Sequence, residues 1–154
     1  MQQSKKIFDF NKQMKIGNNG EDFFCECYKD RSPIKSSFRE FDVIIDGNKM
    51  VEIKTDSYSM DSTPNFFMER YGDKERTKEA GPWRAKKDSL NYFCYLFIKD
   101  KTFFWFYPQE LCDFLDNHIN ELEEKEIRNK GWSAIGFCVE REKIKHLALQ
   151  IDKF

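Results

Sequence analysis

The residues of this chain best suited to chemistry are ionisable side chains placed among residues that favour burial. In residues 41–56, FDVIIDGNKMVEIKTD, two β-branched runs flank a short polar segment, which is typical of a β-hairpin. Asp42 lies in the first run, and Glu52 and Lys54 lie in the second. Carboxylates and a lysine on one face of a hairpin can hold a hard divalent cation and act on water beside it.

The length of the turn decides whether these side chains meet. A three-residue turn at residues 46–48 places Asp42 opposite Glu52, and Asn48 then takes the left-handed conformation. A turn one residue longer would separate the two carboxylates. Because side chains alternate along a strand, Glu52 and Lys54 share one face. The opposite face then carries only apolar side chains, those of Val43, Ile45, Val51 and Ile53.

Two carboxylates this close repel each other, and their burial is unfavourable unless a positive charge lies between them. Mg²⁺ accepts oxygen ligands from one or two carboxylates and keeps several waters. With a lysine beside such an ion, the hairpin could hydrolyse phosphodiesters. The simpler interpretation is a surface hairpin with a solvated polar face, since alternation on an antiparallel sheet yields Glu-x-Lys readily.

Asp42 is followed, after nine intervening residues, by Glu52-Ile53-Lys54. This arrangement resembles the motif of the PD-(D/E)xK superfamily of nucleases, also called restriction-endonuclease-like. In that superfamily a helix carrying a glutamate precedes the hairpin, and Glu21 matches this glutamate. Phe41, rather than proline, precedes the aspartate here. The resemblance covers roughly residues 12–106.

This resemblance implies an α/β fold: a single three-layer αβα domain, residues 1–154, with a mixed central β-sheet and helices on both sides. It implies a metal-dependent endonuclease that hydrolyses DNA in recombination, repair or junction processing. Mg²⁺ or Mn²⁺ would be held by Asp42, Glu52 and the Ile53 carbonyl. Lys54 would position the attacking water, and Glu21 would assist from the helix.

Many members of the superfamily act as dimers, so a homodimer is an expected partner besides the nucleic acid. Two alternatives stay open. One is a non-catalytic module on the same fold that binds nucleic acid or a protein, and the other is a nuclease acting on RNA.

Two more groups of residues are candidates for contacts at this site. Asn65 and Glu69 share a face of an aromatic-rich segment predicted as a third strand, where they could bind the metal or hold water. A polar edge strand is the alternative.

The second group could contact nucleic acid, because cations beside an aromatic ring suit a phosphate backbone or an unstacked base. Its residues are Trp83, Arg84, Lys86 and Lys87. A solvent-exposed helix that carries lysines and binds no nucleic acid would have the same composition.

Composition bounds the remaining possibilities. The chain of 154 residues is 16% aromatic, which argues for one domain with a substantial core and against disorder. It has no apolar run of membrane-spanning length and no signal-peptide apolar region, and its five cysteines include no Cys-x-x-Cys pair. These features predict a cytoplasmic protein with reduced cysteines and without a membrane partner. A net charge of −1 offers nucleic acid no overall attraction, so local cations or a metal must supply it.

The rest of the chain is predicted to form helices and strands that support this hairpin. Residues 1–11 suggest an extended lead, and continuous apolar runs predict central strands. The predicted elements are a helix over residues 12–29, a short helix from Pro82, strands over 92–98 and 102–107, a helix from Pro108 to about Asn129, and a final pair of strands over 135–139 and 144–151.

Overall fold

The computed structural model describes residues 10–37 and 40–154, so most of the predicted N-terminal lead lies outside the described residues. The helices of this part are α1 (Phe10–Cys27), α2 (Gly81–Lys87), α3 (Pro108–Asn117) and α4 (Arg141–Ile144). Its strands are β1 (Ile34–Lys35), β2 (Val43–Ile45), β3 (Lys49–Asp56), β4 (Asn65–Tyr71), β5 (Tyr92–Phe97), β6 (Thr102–Phe106), β7 (Glu123–Asn129), β8 (Trp132–Glu140) and β9 (Gln150–Lys153). None of the described helices is long and apolar enough to cross a membrane.

The strands form two sheets. The larger sheet has six strands in the order β1-β2-β3-β5-β6-β9, with β3 and β5 parallel and the other neighbours antiparallel. The smaller sheet has the order β4-β8-β7 and is antiparallel. The predicted α/β class and mixed central sheet are therefore confirmed, and the second sheet is a feature that the sequence pattern did not predict.

Both faces of the larger sheet are covered, which explains the continuous apolar runs of β5 and β6. Helix α1 packs on one face, where Phe24 and Tyr28 contact the apolar side chains of the hairpin and of Trp105. On the other face the core includes Phe66 of β4, Trp83 of α2 and Leu111 of α3. The second face thus carries helices and the smaller sheet together, rather than helices alone.

The β2–β3 hairpin has the predicted three-residue turn, with Ile45 opposite Lys49, but its regular pairing ends at Val43 and Val51 and does not include the predicted pair of Asp42 and Glu52. The left-handed residues are Asp46 (φ 54°) and Gly47 (φ 85°), so the prediction of this conformation at Asn48 is wrong. Glycine adopts positive φ without steric penalty. Arg31 secures Asp46, because its guanidinium donates to the Asp46 carboxylate at 2.6 Å and its carbonyl accepts the Asp46 amide at 2.8 Å.

The long helix predicted from Pro108 to about Asn129 is wrong in its second half. Helix α3 ends at Asn117, a 3-10 turn spans Ile119–Glu121, and β7 follows. The Glu- and Lys-rich composition of β7 favours a helix locally, but pairing along its whole length with β8 overrides that preference. Its charged side chains suit the edge of a sheet.

Of the predicted final pair of strands, the first is confirmed, whereas the second and the pairing of the two are wrong. Residues 135–139 lie in β8, which pairs with β4 and β7, whereas residues 144–151 contain the end of α4, a 3-10 turn and the start of β9. Strand β9 pairs with β6 in the other sheet. Its Asp152 accepts a hydrogen bond from the Tyr28 hydroxyl at 2.6 Å, which joins the C-terminal strand to α1.

Close packing of α1 on β3 can be tested at Gly20. A Cβ atom there would overlap Thr55 Oγ1 and lie 2.8 Å from Thr55 Cβ, whereas a Cβ at Gly17 meets no atom within 4 Å. Gly20→Ala should lower the free energy of unfolding by about 1–3 kcal/mol through overpacking. Gly17→Ala, the matched control, should raise it by up to about 1 kcal/mol through helix propensity. Urea unfolding of both variants measures the difference, and equal stabilities would contradict this packing.

Candidate functional site

Asp42 lies where the hairpin leaves its regular pairing. Its amide donates to the Val51 carbonyl at 3.0 Å, although Val51 already faces Val43, so the chain bulges at this point. The carboxylate turns toward β3, where Oδ2 accepts the Ile53 amide at 2.7 Å. Since the N–H and C=O of one strand residue point to the same side, the Ile53 carbonyl lies at this same edge.

Glu21 reaches Asp42 from helix α1. The two side chains share a hydrogen bond, in which the protonated Glu21 carboxyl donates to the Asp42 carboxylate. Burial and the charge of Asp42 raise the pKa of Glu21 to about 7, while Lys35, whose Nζ lies 3.9 Å from Glu21 Oε2, lowers it. Burial also raises the pKa of Asp42, against the opposing effects of the Ile53 amide and Glu21. These effects favour a proton held between the two acids in the metal-free protein.

Glu52 completes a group of three carboxyls. Burial, followed by the charge of Asp42, raises its pKa well above the usual range, and the charge of Arg84 opposes this rise. Its Oε2 atom is buried and has no hydrogen-bond partner among the described residues. Buried polar atoms are rarely left unpaired, so this oxygen is available to a ligand.

Lys54 shares a face of β3 with Glu52 and lies near Glu69 of β4. Burial raises the pKa of Glu69, and the charge of Lys54 lowers it. The backbone of Glu69 is held closely, because a Cβ atom at Gly81 would overlap the Glu69 carbonyl oxygen. Glu69 thus approaches the site from the second sheet, as the counter-charge of the lysine.

Asn65 lies at the other end of β4. Its Cα partner is Glu140 of β8, and it lines a shallow surface cavity with Glu121 and Lys143. Glu69 lies four positions further along the strand, which corresponds to about 13 Å. The structure therefore does not bring Asn65 to the carboxyl group cluster.

The four residues predicted to contact nucleic acid are divided between two faces of α2. The Trp83 ring is only 4% exposed and its indole N–H donates to Asp116 at 2.9 Å, so it cannot stack on a base as it is placed. Lys86 lies 3.6 Å from Asp113 of α3, and Lys87 is exposed. Arg84 instead acts on Asp42 and Glu52.

Sequence reasoning assigned Arg84 to a helix surface and missed its place beside the carboxyl groups. Arg84 and Asp88 stand four residues apart, with 3.6 Å between Nε and Oδ2, and this spacing is the only local signal that they act together. Lys35, the cation nearest Glu21, was also missed. It lies on a two-residue strand inside a segment whose composition resembles a polar loop.

The residues present fit a divalent cation held by few protein ligands. In residues 10–37 and 40–154, no group of three or more His, Cys, Asp or Glu side chains is arranged as a metal site. Two carboxylates, a carbonyl and water suffice for Mg²⁺, which keeps part of its hydration shell. Asp42, the Ile53 carbonyl and the unpaired Glu52 Oε2 would be the donors of such a set.

Comparisons with protein-family models, with curated proteins and with solved structures return no match for this chain. Its function is therefore inferred from the geometry of the site.

Repulsion among the carboxyls predicts a pH-dependent stability. Glu21 and Glu52 have folded-state pKa values above the unfolded ones, so between about 4.5 and 7 the folded state binds more protons. Unfolding free energy from this cluster is then largest below pH 4.5 and falls as pH rises through 7. Glu52→Gln removes one charge and should raise the melting temperature at pH 8, but not at pH 4, in metal-free buffer.

The control is Glu142→Gln, which removes an exposed carboxylate on α4 and should show no such dependence. Calorimetric melting at both pH values measures it, and about 1 kcal/mol corresponds to roughly 2–4 °C for a chain of this size. A Glu52→Gln variant less stable than the wild type at pH 8 would show that the carboxylates are not in repulsive contact.

Proposed function

We propose that this protein is a divalent-metal-dependent endonuclease that hydrolyses phosphodiester bonds, with DNA as the substrate. The observation that carries the proposal is the convergence of Glu21, Asp42 and Glu52, one of which keeps a buried oxygen without a partner. Burial of such a cluster is unfavourable for folding unless positive charge offsets it, and a divalent cation can do so. Lys54, on the same face as Glu52, adds an ammonium that can stabilise the charge developing during phosphodiester hydrolysis.

Asp42, Glu52 and the Ile53 carbonyl would hold Mg²⁺ or Mn²⁺. When bound, the ion supplies positive charge that activates water and neutralises a phosphate oxygen. The hydrogen bond from the Ile53 amide fixes the orientation of the Asp42 carboxylate in advance. With the ion bound, Glu21 would release the proton that it shares with Asp42 to solvent, so that both acids are charged, and its carboxylate could accept a hydrogen bond from water near Asp42.

Lys54 would direct its ammonium at the attacking water and at the charge that develops on the phosphate. Glu69 favours the position of this ammonium beside the site, because its half-buried carboxyl group on the neighbouring sheet attracts the lysine charge. A fixed cation that needs no reorganisation during the reaction stabilises the transition state more than a mobile one. Glu69 is therefore a positioning residue in this proposal, rather than a metal ligand.

One site cuts one strand, so cleavage of both strands of a duplex requires a second copy of the chain. We propose a homodimer for that reason. The phosphodiester is common to DNA and RNA, and the carboxyl groups act on it in either polymer, which is why RNA stays the alternative substrate.

A non-catalytic module on this fold is the second candidate function. The position of Lys54 favours it, because the attraction between its charge and Glu69 would by itself explain why a lysine is present on this strand. In that case the carboxyl groups would bind a cation for stability alone, and the protein would bind nucleic acid or a protein without cutting.

Cleavage of supercoiled plasmid separates the two candidates. The wild type should nick plasmid with Mg²⁺ or Mn²⁺ and not with EDTA, and linear duplex, branched DNA and RNA in parallel identify the substrate. Lys54→Met should lower the rate by at least about a hundredfold, as expected for the loss of one charge-stabilising donor. Asp42→Asn should abolish nicking.

Lys99→Met and Glu142→Gln are the matched controls, since each removes an exposed charge of the same sign elsewhere. Melting temperatures of all variants establish that lost cleavage is not lost folding. If Lys54→Met cut at nearly the wild-type rate, the nuclease mechanism would be wrong. If no wild-type preparation cut any substrate while still binding Mn²⁺, the non-catalytic module would be the better description.

A further inference from the structure

Strand β9 forms one edge of the six-stranded sheet. It pairs with β6 on one side, and in residues 10–37 and 40–154 no strand pairs with its other side. Large apolar side chains in or next to this strand are exposed: Leu149 is 40% exposed, Ile151 42% and Phe154 50%. A free strand edge that carries apolar side chains is a template for pairing with another strand.

The register of β9 on β6 shows which of its backbone groups face outward. The Phe154 amide donates to the carbonyl of Lys101 at 3.0 Å, one position beyond the pair of Thr102 and Lys153. Hydrogen-bonded and non-hydrogen-bonded pairs alternate in an antiparallel ladder, so Lys153 and Ile151 belong to non-hydrogen-bonded pairs. The N–H and C=O groups of these two residues therefore point away from β6, toward the free edge.

The side chains of β9 alternate between the two faces of the sheet. Asp152 faces α1, because its carboxylate accepts the Tyr28 hydroxyl at 2.6 Å. Gln150 lies on the same face and donates from Nε2 to the same carboxylate oxygen at 2.7 Å. Ile151 therefore lies on the opposite face, where its side chain is half exposed at the edge.

We propose that a second copy of the chain pairs with this edge, with the two β9 strands antiparallel and Ile151 on the two-fold axis. The Ile151 N–H of each copy then donates to the carbonyl of the partner's Ile151, and the two sheets become one. Gln150 lies opposite the partner's Asp152, so that an amide meets a carboxylate. This inference rests on the proposed function, whose homodimer it gives an interface.

Charge selects this register among the symmetric ones. An axis at Asp152 would place two carboxylates directly opposite each other, and an axis at Lys153 would do the same with two ammonium groups; both arrangements are unfavourable. An axis at Ile151 places two apolar side chains together instead. The strand is thus complementary to a second copy of itself, as an interface between identical chains requires.

The other edge of the sheet is less suited to such pairing. Strand β1 has only two residues, and the ammonium of Lys35 lies 2.8 Å from Asp22 of α1. A short, charged edge resists pairing with further chains. Association through β9 therefore closes at two copies rather than continuing into a fibre.

This dimer also places the two carboxyl sites suitably for one duplex. Strand β3 lies three strand spacings from β9, so the two copies of β3 are separated by three spacings in each copy and one across the interface. At about 4.8 Å each, this corresponds to roughly 34 Å before the twist of the sheet is considered. One turn of duplex DNA has about the same length. A two-fold axis perpendicular to the sheet keeps Glu52 and Lys54 of both copies on the same side.

Sedimentation velocity of the full chain without nucleic acid tests the interface. The wild type should dimerise at micromolar concentration. Ile151→Lys should raise the dissociation constant of the dimer at least about tenfold, because two ammonium groups would then face each other across the axis. The control is Ile34→Lys, the same change at a residue of β1 that is 64% exposed, and it should leave the constant unchanged.

Two further variants test the register. Ile151→Pro removes an N–H that β6 does not use, so it should dissociate the dimer while the melting temperature of the monomer changes little. Ile151→Cys should form a disulfide with its own copy when oxidised glutathione is added, because the Cα atoms of such a pair lie about 5.5 Å apart. Lys153→Cys, opposite the partner's Leu149, should not link to itself. Mass spectrometry of the digested protein identifies the linked residues.

The outcomes separate this proposal from the proposed function. Ile151→Lys should still nick supercoiled plasmid but convert it to linear DNA more slowly, since one site cuts one strand. A wild type that stays monomeric, or a dimer that Ile151→Lys leaves intact, would overturn the interface, while metal-dependent nicking would stand. If the dimer depends on Ile151 but no preparation cuts any substrate, the nuclease fails and the interface remains. Should Ile151→Lys not fold, the self-linking of Ile151→Cys decides the question.

Discussion

Repulsion among three buried carboxyl groups is the constraint around which this structure is organised. Glu21 comes from α1, Asp42 from the bulge before β2 and Glu52 from β3, and each raises the pKa of at least one other or has its own raised by a neighbour. A shared proton relieves part of this repulsion, and Arg84 relieves another part. The shared proton and the Arg84 guanidinium each supply positive charge, as a divalent metal ion bound to all the carboxylate oxygens would.

The large aromatic core is what makes such a cluster tolerable. The cores on the two faces of the six-stranded sheet hold α1 on one side and the second layer on the other. Stability gained from this burial offsets the unfavourable electrostatics at one edge. The tight contact of Gly20 with Thr55 places Glu21 beside Asp42, so the position of the third acid depends on the packing of a residue without a side chain.

How far the sequence could predict this arrangement depends on the range of the interactions involved. The hairpin register follows from the length of one turn, so the local pattern sufficed for the pairing of Ile45 with Lys49. Strand β7 forms in a segment predicted as helix, and strand β9 pairs with β6 rather than with its predicted neighbour, because no local periodicity encodes those partners. The placement of Glu69 beside Lys54 depends on the second sheet, which the sequence pattern did not reveal.

A crystal of the wild type soaked in Mn²⁺, with data collected at the manganese absorption edge, tests the central claim most directly. The account predicts an anomalous difference peak in contact with the Asp42 and Glu52 carboxylates and the Ile53 carbonyl, with the hydrogen bond between Glu21 and Asp42 broken by loss of its proton. The contradictory result is a crystal at saturating Mn²⁺ that shows no peak at these residues and keeps Glu21 hydrogen-bonded to Asp42.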